Sequence, residues 1–298
     1  MLASSERPTS AIAEQTFALT DYDLAATLSS GQAFRWRYQD GSWVGVVAGR
    51  WVRLTQQNTD LHAQTTGAPE DWSWLRNYLQ LEIPLSQIIQ TFPKDEVMTT
   101  AVQASRGLRL LKQDHWECLT SFILSSTKRI VQIQQCVESL GERFGAPLPV
   151  PPGFPSRSNF PSPHRLAECT ESELRDCKLG FRAPYLLEAA RRIAQGHLHL
   201  ADLQNASIEY ARNQLMTLPG VGPKVADCVL LFAYGFPNAF PVDVWIYKAI
   251  QQLYFPKRPA TTRQLQQFTQ TYFGPHSGYA QQYLFHYMRT KIGRTQAL

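Results

Sequence analysis

At 298 residues, 44% of them hydrophobic, the chain can bury a sizeable core and hold two domains, or one with a subdomain, so it needs no covalent staples to fold. Its 29 Lys and Arg against 24 Asp and Glu leave a net charge of +5, which permits a polyanionic partner without demanding one. The five cysteines are odd in number and include no Cys-x-x-Cys pair, and the seven histidines offer no clustered substitute, which argues against a disulfide framework, a bound metal and an iron–sulfur cofactor.

Residues 1–16 carry no apolar segment of the kind that directs export, and no run of about 18 apolar residues follows. A protein that is neither secreted nor membrane-embedded is expected. Residues 1–15 read as a flexible tail. From Thr16 to Thr65 apolar residues alternate with period 2, in Phe34-Arg35-Trp36-Arg37-Tyr38, Trp43 to Val47 and Trp51 to Leu54. Asp40-Gly41 and Ala48-Gly49 lie between these runs as hairpin turns, which predicts a short antiparallel sheet. Near Asp71 the period changes: Trp72, Leu75, Tyr78 and Leu79 recur at helical spacing, as do most later apolar runs. The fold class is therefore α+β, a small antiparallel sheet with a helix over residues 16–92 and a helical body over 93–298.

Pro147 to Pro163 must be a loop, because proline lacks the donor that a helix or ladder requires. Thr170-Glu171-Ser172-Glu173 reads as a capping box that opens a short helix, and Gly180 as its stop.

The most informative segment is Leu218-Pro219-Gly220-Val221-Gly222-Pro223-Lys224. A helical run stops at Pro219-Gly220 and another begins with Pro223 in the favoured first position, giving a helix–hairpin–helix. Gly220, Val221 and Gly222 leave backbone N–H groups unobstructed beside a helix N-terminus, a suitable cradle for one phosphate. Alone, such a turn is as compatible with an ordinary helix connection. Nineteen residues after Lys224, Pro241-Val242-Asp243 places a carboxylate at the start of the next helix. Simpler roles exist for both charges: Lys224 could pair with Asp227 at i+3, and Asp243 could be a helix N-cap.

Lys224 after the hairpin and Asp243 in Pro-Val-Asp resemble the signature of the helix–hairpin–helix (HhH-GPD) DNA glycosylases, in which the lysine marks members that also cleave the backbone. That resemblance implies Lys224 as nucleophile and Asp243 as its carboxylate partner. Ser30-Gly31-Gln32-Ala33-Phe34, Gly107 to Leu111, Glu117-Cys118-Leu119 with Ser121-Phe122-Ile123, and Gly278 to Phe285 are similar to the eukaryotic-type 8-oxoguanine glycosylases over nearly the whole chain. This closer similarity implies a pocket for a flipped base between Phe285 and Cys228, with Gln281 on its pairing edge and the Gly31 carbonyl accepting from N7–H. Each also has a simpler role, core for Cys228 and Phe285, a turn for Gly31. Three positions depart from the family: Thr127 stands where an Asn fills the gap left by the base, Phe181 where a Tyr forms the wedge, and Gln132 where an Arg joins Arg182 in reading the opposite cytosine. A Gln lacks the guanidinium's fixed fork.

The expected partner is double-stranded DNA containing 8-oxoguanine, met by a monomer without a small-molecule cofactor, in the cytoplasm or nucleoid of a prokaryote or the nucleus of a eukaryote. The competing readings are a relative acting on another damaged base and a silent DNA-binding module; retention of both Lys224 and Asp243 speaks against the second.

Overall fold

In the computed structural model, which describes residues 11–295, strand β1 runs over Ile12–Ala18. The expected tail therefore ends four residues too late, and its first ten residues lie outside those described. The strand was hidden because it is a sheet edge, mostly polar and with only Phe17 buried; its backbone pairing, not its side chains, holds it in place. Helix α1 (Leu24–Ser29) follows, capped by the Asp23 side chain.

The hairpin turns form as expected. Asp40 and Gly41 (φ 49° and 74°) join β2 (Arg37–Gln39) to β3 (Ser42–Val47), and Ala48 and Gly49 (φ 47° and 72°) join β3 to β4 (Arg50–Gln57). Two successive left-handed residues give the backbone twist that right-twisted strands need. Strand β5 (Asp60–Thr66) completes an antiparallel sheet of order β1-β5-β4-β3-β2. Phe34-Arg35-Trp36 is not part of a strand. All three side chains are buried, so the segment has no solvent face to alternate with, and Arg35 ends between Glu117 and Glu138 at 3.7 Å from each.

Helix α2 (Ser73–Leu79) lays Leu75 and Leu79 on the sheet, against Val52, Leu54 and Leu61. The packing boundary does not coincide with position 93. Leu85 and Ile88 of α3 (Leu85–Gln90) and Phe92 join the helical core with Met98 of α4 (Glu96–Ala104), whereas Leu111 returns to the sheet core. The body continues through α5 (His115–Ile123) and α6 (Ile130–Phe144); the Pro-rich segment then runs as a loop with one bridge, Pro147 to Ser158. Helices α7 (Pro163–Ala167) and α8 (Glu171–Asp176) follow, and the Thr170–Glu173 capping box is present. Gly180 does not stop α8, which ends at Asp176; with φ 61° it opens a 3-10 turn leading straight into α9 (Ala183–Ala194). The remaining helices are α10 (Ile208–Met216), α11 (Pro223–Val229), α12 (Val244–Tyr254), α13 (Thr262–Thr271) and α14 (Ser277–Thr295).

Helix α14 can approach the body closely because its second residue is a glycine. Its Gly278 N–H donates to the Pro237 carbonyl at 2.8 Å, and a Cβ there would stand 2.5 Å from the Ala239 carbonyl oxygen and against Leu231. Gly278→Ala should therefore cost about 1–3 kcal/mol by overpacking, read as a lower urea midpoint. An unchanged midpoint would mean that the helix start yields freely.

Candidate active site

The hairpin between α10 and α11 is built on two different glycines. Gly220 (φ 78°) needs the left-handed backbone, and a Cβ on it would lie 2.9 Å from the Tyr185 ring. Gly222 is extended (φ −94°), with open space where a side chain would be. It precedes Pro223 at the first helical position, and no side chain caps α11. The Val221 N–H is committed to the Leu218 carbonyl at 3.2 Å. Beyond Val229 the helix widens into a π turn, Leu230–Tyr234, closed by Gly235 at φ 77°. Such widenings concentrate at functional sites.

Lys224, on the first turn of α11, points back over buried α5. Its Nζ donates to Ser125 Oγ at 3.0 Å and lies 5.2 Å from the centre of the Phe122 ring. It does not pair with Asp227, which binds Arg212 at 2.8 Å instead. Nor does any carboxylate among the described residues come within ion-pair distance of it. Asp243 does serve as the N-cap of α12, accepting from the Ile246 N–H at 2.8 Å, yet it also lines the same cavity as Lys224. Burial raises its carboxyl above the usual range, opposed by the Ile246 hydrogen bond and by the attraction of Lys224. The capping role and the facing role coexist.

Gly31 sits on a turn pinned at every carbonyl but its own. The Ser29 carbonyl accepts from Arg289 at 2.5 Å, that of Ser30 from Gln282 at 3.1 Å, and that of Gln32 from Gln113 at 2.8 Å. Among the described residues no group donates to the Gly31 carbonyl. The Gln32 side chain braces the turn further, donating to the Thr27 and Arg109 carbonyls and accepting from the Leu111 N–H. At Gly31 itself (φ 82°) a Cβ would crowd Ile130, Arg289 and Phe285, at 3.0, 3.1 and 3.4 Å. Glycine is required twice over, by conformation and by space.

A cavity of about 670 Å³ gathers Gly31, Lys224, Cys228, Asp243, Gln281 and Phe285. The first of these comes from the sheet-side turn, the next two from α11, Asp243 from α12 and the last two from α14. Gln281 is buried, and its Oε1 has no hydrogen-bond partner among the described residues, an arrangement that costs free energy unless a ligand supplies the donor. Cys228 is buried, and burial pushes its thiol up to about 12, with Lys224 pulling the other way.

The remaining predicted positions divide. Thr127 reaches the cavity wall, in the left-handed region (φ 54°) that β-branched residues rarely adopt. Phe181 is exposed, with the Arg182 guanidinium 4.1 Å from its ring centre. Arg182 is buried and turned inward, donating to the Ser126 carbonyl and, at 2.6 Å, to Thr127 Oγ1. Gln132 is exposed and outside the cavity wall, its amide oxygen accepting from the Arg129 N–H at 2.9 Å at the start of α6.

Comparison with known proteins decides the lineage. Residues 16–119 match the family described as 8-oxoguanine DNA glycosylase, N-terminal domain, and residues 120–275 the HhH-GPD superfamily of base excision DNA repair proteins. The N-glycosylase/DNA lyase OGG1 of Arabidopsis thaliana is 30% identical over 89% of this chain and 77% of its own. The chain belongs to the 8-oxoguanine DNA glycosylase family. A probable N-glycosylase/DNA lyase of Methanothermobacter thermautotrophicus is 32% identical over 67% of this chain and 69% of its own. Among solved structures, MBOgg1 in complex with a low-affinity DNA ligand superposes with TM-score 0.88 at 36% identity, covering 97% of this chain and 98% of that one. The Clostridium acetobutylicum 8-oxoguanine glycosylase/lyase, in complex with double-stranded DNA containing cytosine opposite 8-oxoG, gives 0.86 at 30%, covering 93% and 98%.

This glycosylase also contains site residues that sequence reasoning passed over: Ser125 beside the lysine, Gln282 and Arg289 on the Gly31 turn, and exposed Trp245 on the cavity wall. Only Trp245, an exposed aromatic two residues after Asp243, carried a local signal. The contacts of the others span 99 or more positions.

The raised thiol has a direct consequence. Its folded value lies above that of a free cysteine, so native Cys228 stays protonated through the range where the unfolded chain ionises. Iodoacetamide at pH 8 should alkylate Cys228 on the order of 1,000-fold more slowly in the native glycosylase than in urea, by peptide mass mapping. Comparable rates would place a reactive thiolate in the cavity.

Proposed function

We propose that this glycosylase flips 8-oxoguanine out of duplex DNA into the cavity, severs its glycosidic bond through Lys224 and then cuts the strand, as a monomer without a metal or small-molecule cofactor. The observation that carries the proposal is the meeting of Lys224 and Asp243 on one cavity with Gly31, Cys228, Gln281 and Phe285. The base would lie between Phe285 and Cys228. The unpartnered Gln281 oxygen would accept from its pairing edge, and the free Gly31 carbonyl from its N7–H. Normal guanine carries an acceptor at N7, so the same carbonyl would repel it.

In its neutral form the Lys224 amine attacks C1′ as the C1′–N9 bond breaks, and the base leaves with the bonding pair and takes up a proton. Asp243 supports the positive charge that develops on the sugar, as carboxylates do in glycoside cleavage. Opening of the sugar ring gives a Schiff base between C1′ and Nζ. This cation acidifies the C2′ proton; its removal expels the 3′ phosphate, and water then releases the lysine. The hairpin backbone at Gly220 and Gly222 would hold one phosphate nearby, since α11 has no side-chain cap to compete; the Val221 N–H, expected to join them, is taken by the Leu218 carbonyl. Phe181 would wedge the duplex and Thr127 would face the gap left by the base.

Release of free 8-oxoguanine with matching strand incision, followed by mass spectrometry, tests the reading; intact duplex after prolonged incubation would refute it. Asp243→Asn separates the two roles of that residue. Asparagine caps a helix as well as aspartate, so stability should hold within about 0.5 kcal/mol, whereas Asp243→Ala should lose about 1 kcal/mol. Single-turnover base removal should fall about 10²–10³-fold in the Asn variant, and a wild-type rate there would leave Asp243 as a cap alone.

Discrimination at the opposite base rests on Arg182 and Gln132. Paired arginines would donate to the O2 and N3 acceptors of cytosine and penalise adenine or thymine, which present a donor on part of that edge. Here Gln132 is engaged at the start of α6 and Arg182 is turned toward Thr127. With one charged donor missing, preference for cytosine should relax by roughly one to two orders of magnitude. Single-turnover rates against all four opposite bases should show excision in each, sharpened toward cytosine by Gln132→Arg. Strict cytosine dependence in the wild type would contradict this.

A further inference from the structure

Gln281, Phe285 and Arg289 are spaced four apart on α14, so they share one face over about 12 Å of helix. All three line the cavity. Arg289 divides its guanidinium between two surroundings. Nη2 donates to the Ser29 carbonyl at 2.5 Å, and the guanidinium lies 5.9 Å from the Phe285 ring centre. Nη1 is buried without a hydrogen-bond partner among the described residues, and it stands 3.1 Å from where a Gly31 Cβ would be. A buried charged donor left unpaired is costly, and the cost is relieved by a ligand that brings an acceptor to that spot.

We infer that Arg289 is a specificity-determining residue whose free Nη1 arm donates to the C8 carbonyl oxygen of the oxidised base. The inference rests on the reading that 8-oxoguanine occupies the cavity. With the base stacked on Phe285 and its pairing edge at Gln281, four residues toward the helix start, the imidazole edge faces four residues the other way, toward Arg289. At that edge the Gly31 carbonyl takes N7–H, and the next group around the ring is O8. Guanine has a carbon-bound hydrogen there, which offers Nη1 nothing. Oxidation creates a donor at N7 and an acceptor at C8 together, and the turn and helix meet them with an acceptor and a donor side by side. The fixed Nη2 arm matters equally, because it holds the guanidinium in the plane from which Nη1 can reach.

The test compares affinities in a Lys224→Gln background, where no bond is cut, for duplexes carrying 8-oxoguanine, 8-thioguanine or guanine. The thione keeps N7–H but replaces O8 with a weak acceptor. Adding Arg289→Met should weaken 8-oxoguanine binding roughly 10- to 100-fold and 8-thioguanine binding less than about threefold, so that the selectivity between them collapses. Parallel weakening on both duplexes, or none, overturns the inference and reduces Arg289 to a clamp on the Ser29 carbonyl. A duplex with a tetrahydrofuran abasic site offers the pocket no base and reports the fold. If its affinity also falls, Arg289→Gln, which keeps a neutral donor for Ser29, carries the same comparison, and parallel losses there overturn the inference as well. Failure of the underlying reading looks different: the Lys224→Gln protein would show no preference for 8-oxoguanine over guanine even with Arg289 intact.

Discussion

An amine kept close to a carboxylate but short of an ion pair is the constraint on which the rest of this structure depends. A direct contact between the two would commit each group to the other and close the space between them to a ligand. Here the Asp243 oxygen is occupied by the Ile246 N–H, and the Lys224 Nζ by Ser125 Oγ and the Phe122 face. Both charges therefore have anchors of their own. They can face one cavity without collapsing onto each other. The helix N-cap at Asp243 fixes the direction of the carboxylate, and with it the service to a developing charge proposed above.

The anchors come from elements far apart in the chain, which explains the architecture around them. Helix α5 is buried over most of its length and supplies Phe122 as a rigid floor, with Ser125 just beyond its end. The hairpin glycine at 220 brings α10 and α11 against Tyr185, and the glycine at 278 brings α14 against the π turn that follows α11. Through Arg289 and Gln282, α14 then grips the Gly31 turn on the sheet side. The two hydrophobic cores are in this way stitched together across the cavity, and among the described residues the one carbonyl of the Ser29–Gln32 turn without a donor belongs to Gly31, which lines it.

Much of this was legible in the sequence where the governing physics is local. Two-residue turns announced β2 to β4, the capping box at Thr170 announced α8, and the glycines with Pro223 announced the hairpin. Lys224 and Asp243 were legible because each opens a helix next to prolines and glycines that fix its position. What failed to show depends on partners distant in sequence. Strand β1 reads as polar tail because an edge strand is held by backbone pairing, and Phe34 to Trp36 reads as strand although all three side chains are inside. Arg289, Gln282 and Ser125 act on residues 260, 252 and 99 positions away, and a polar residue with so remote a partner looks like any solvated one. Arg182 and Gln132 were assigned outward-facing work by resemblance, whereas the side chains are engaged within the protein.

The proposed chemistry turns on which amine bonds to the sugar. Reduction with borohydride during turnover on an 8-oxoguanine duplex, followed by digestion and mass spectrometry of the trapped peptide, locates that bond. It should fall on Lys224 alone. An adduct carried by Lys128, the other lysine on the cavity wall, or by the chain's amino terminus would contradict the assignment of the nucleophile.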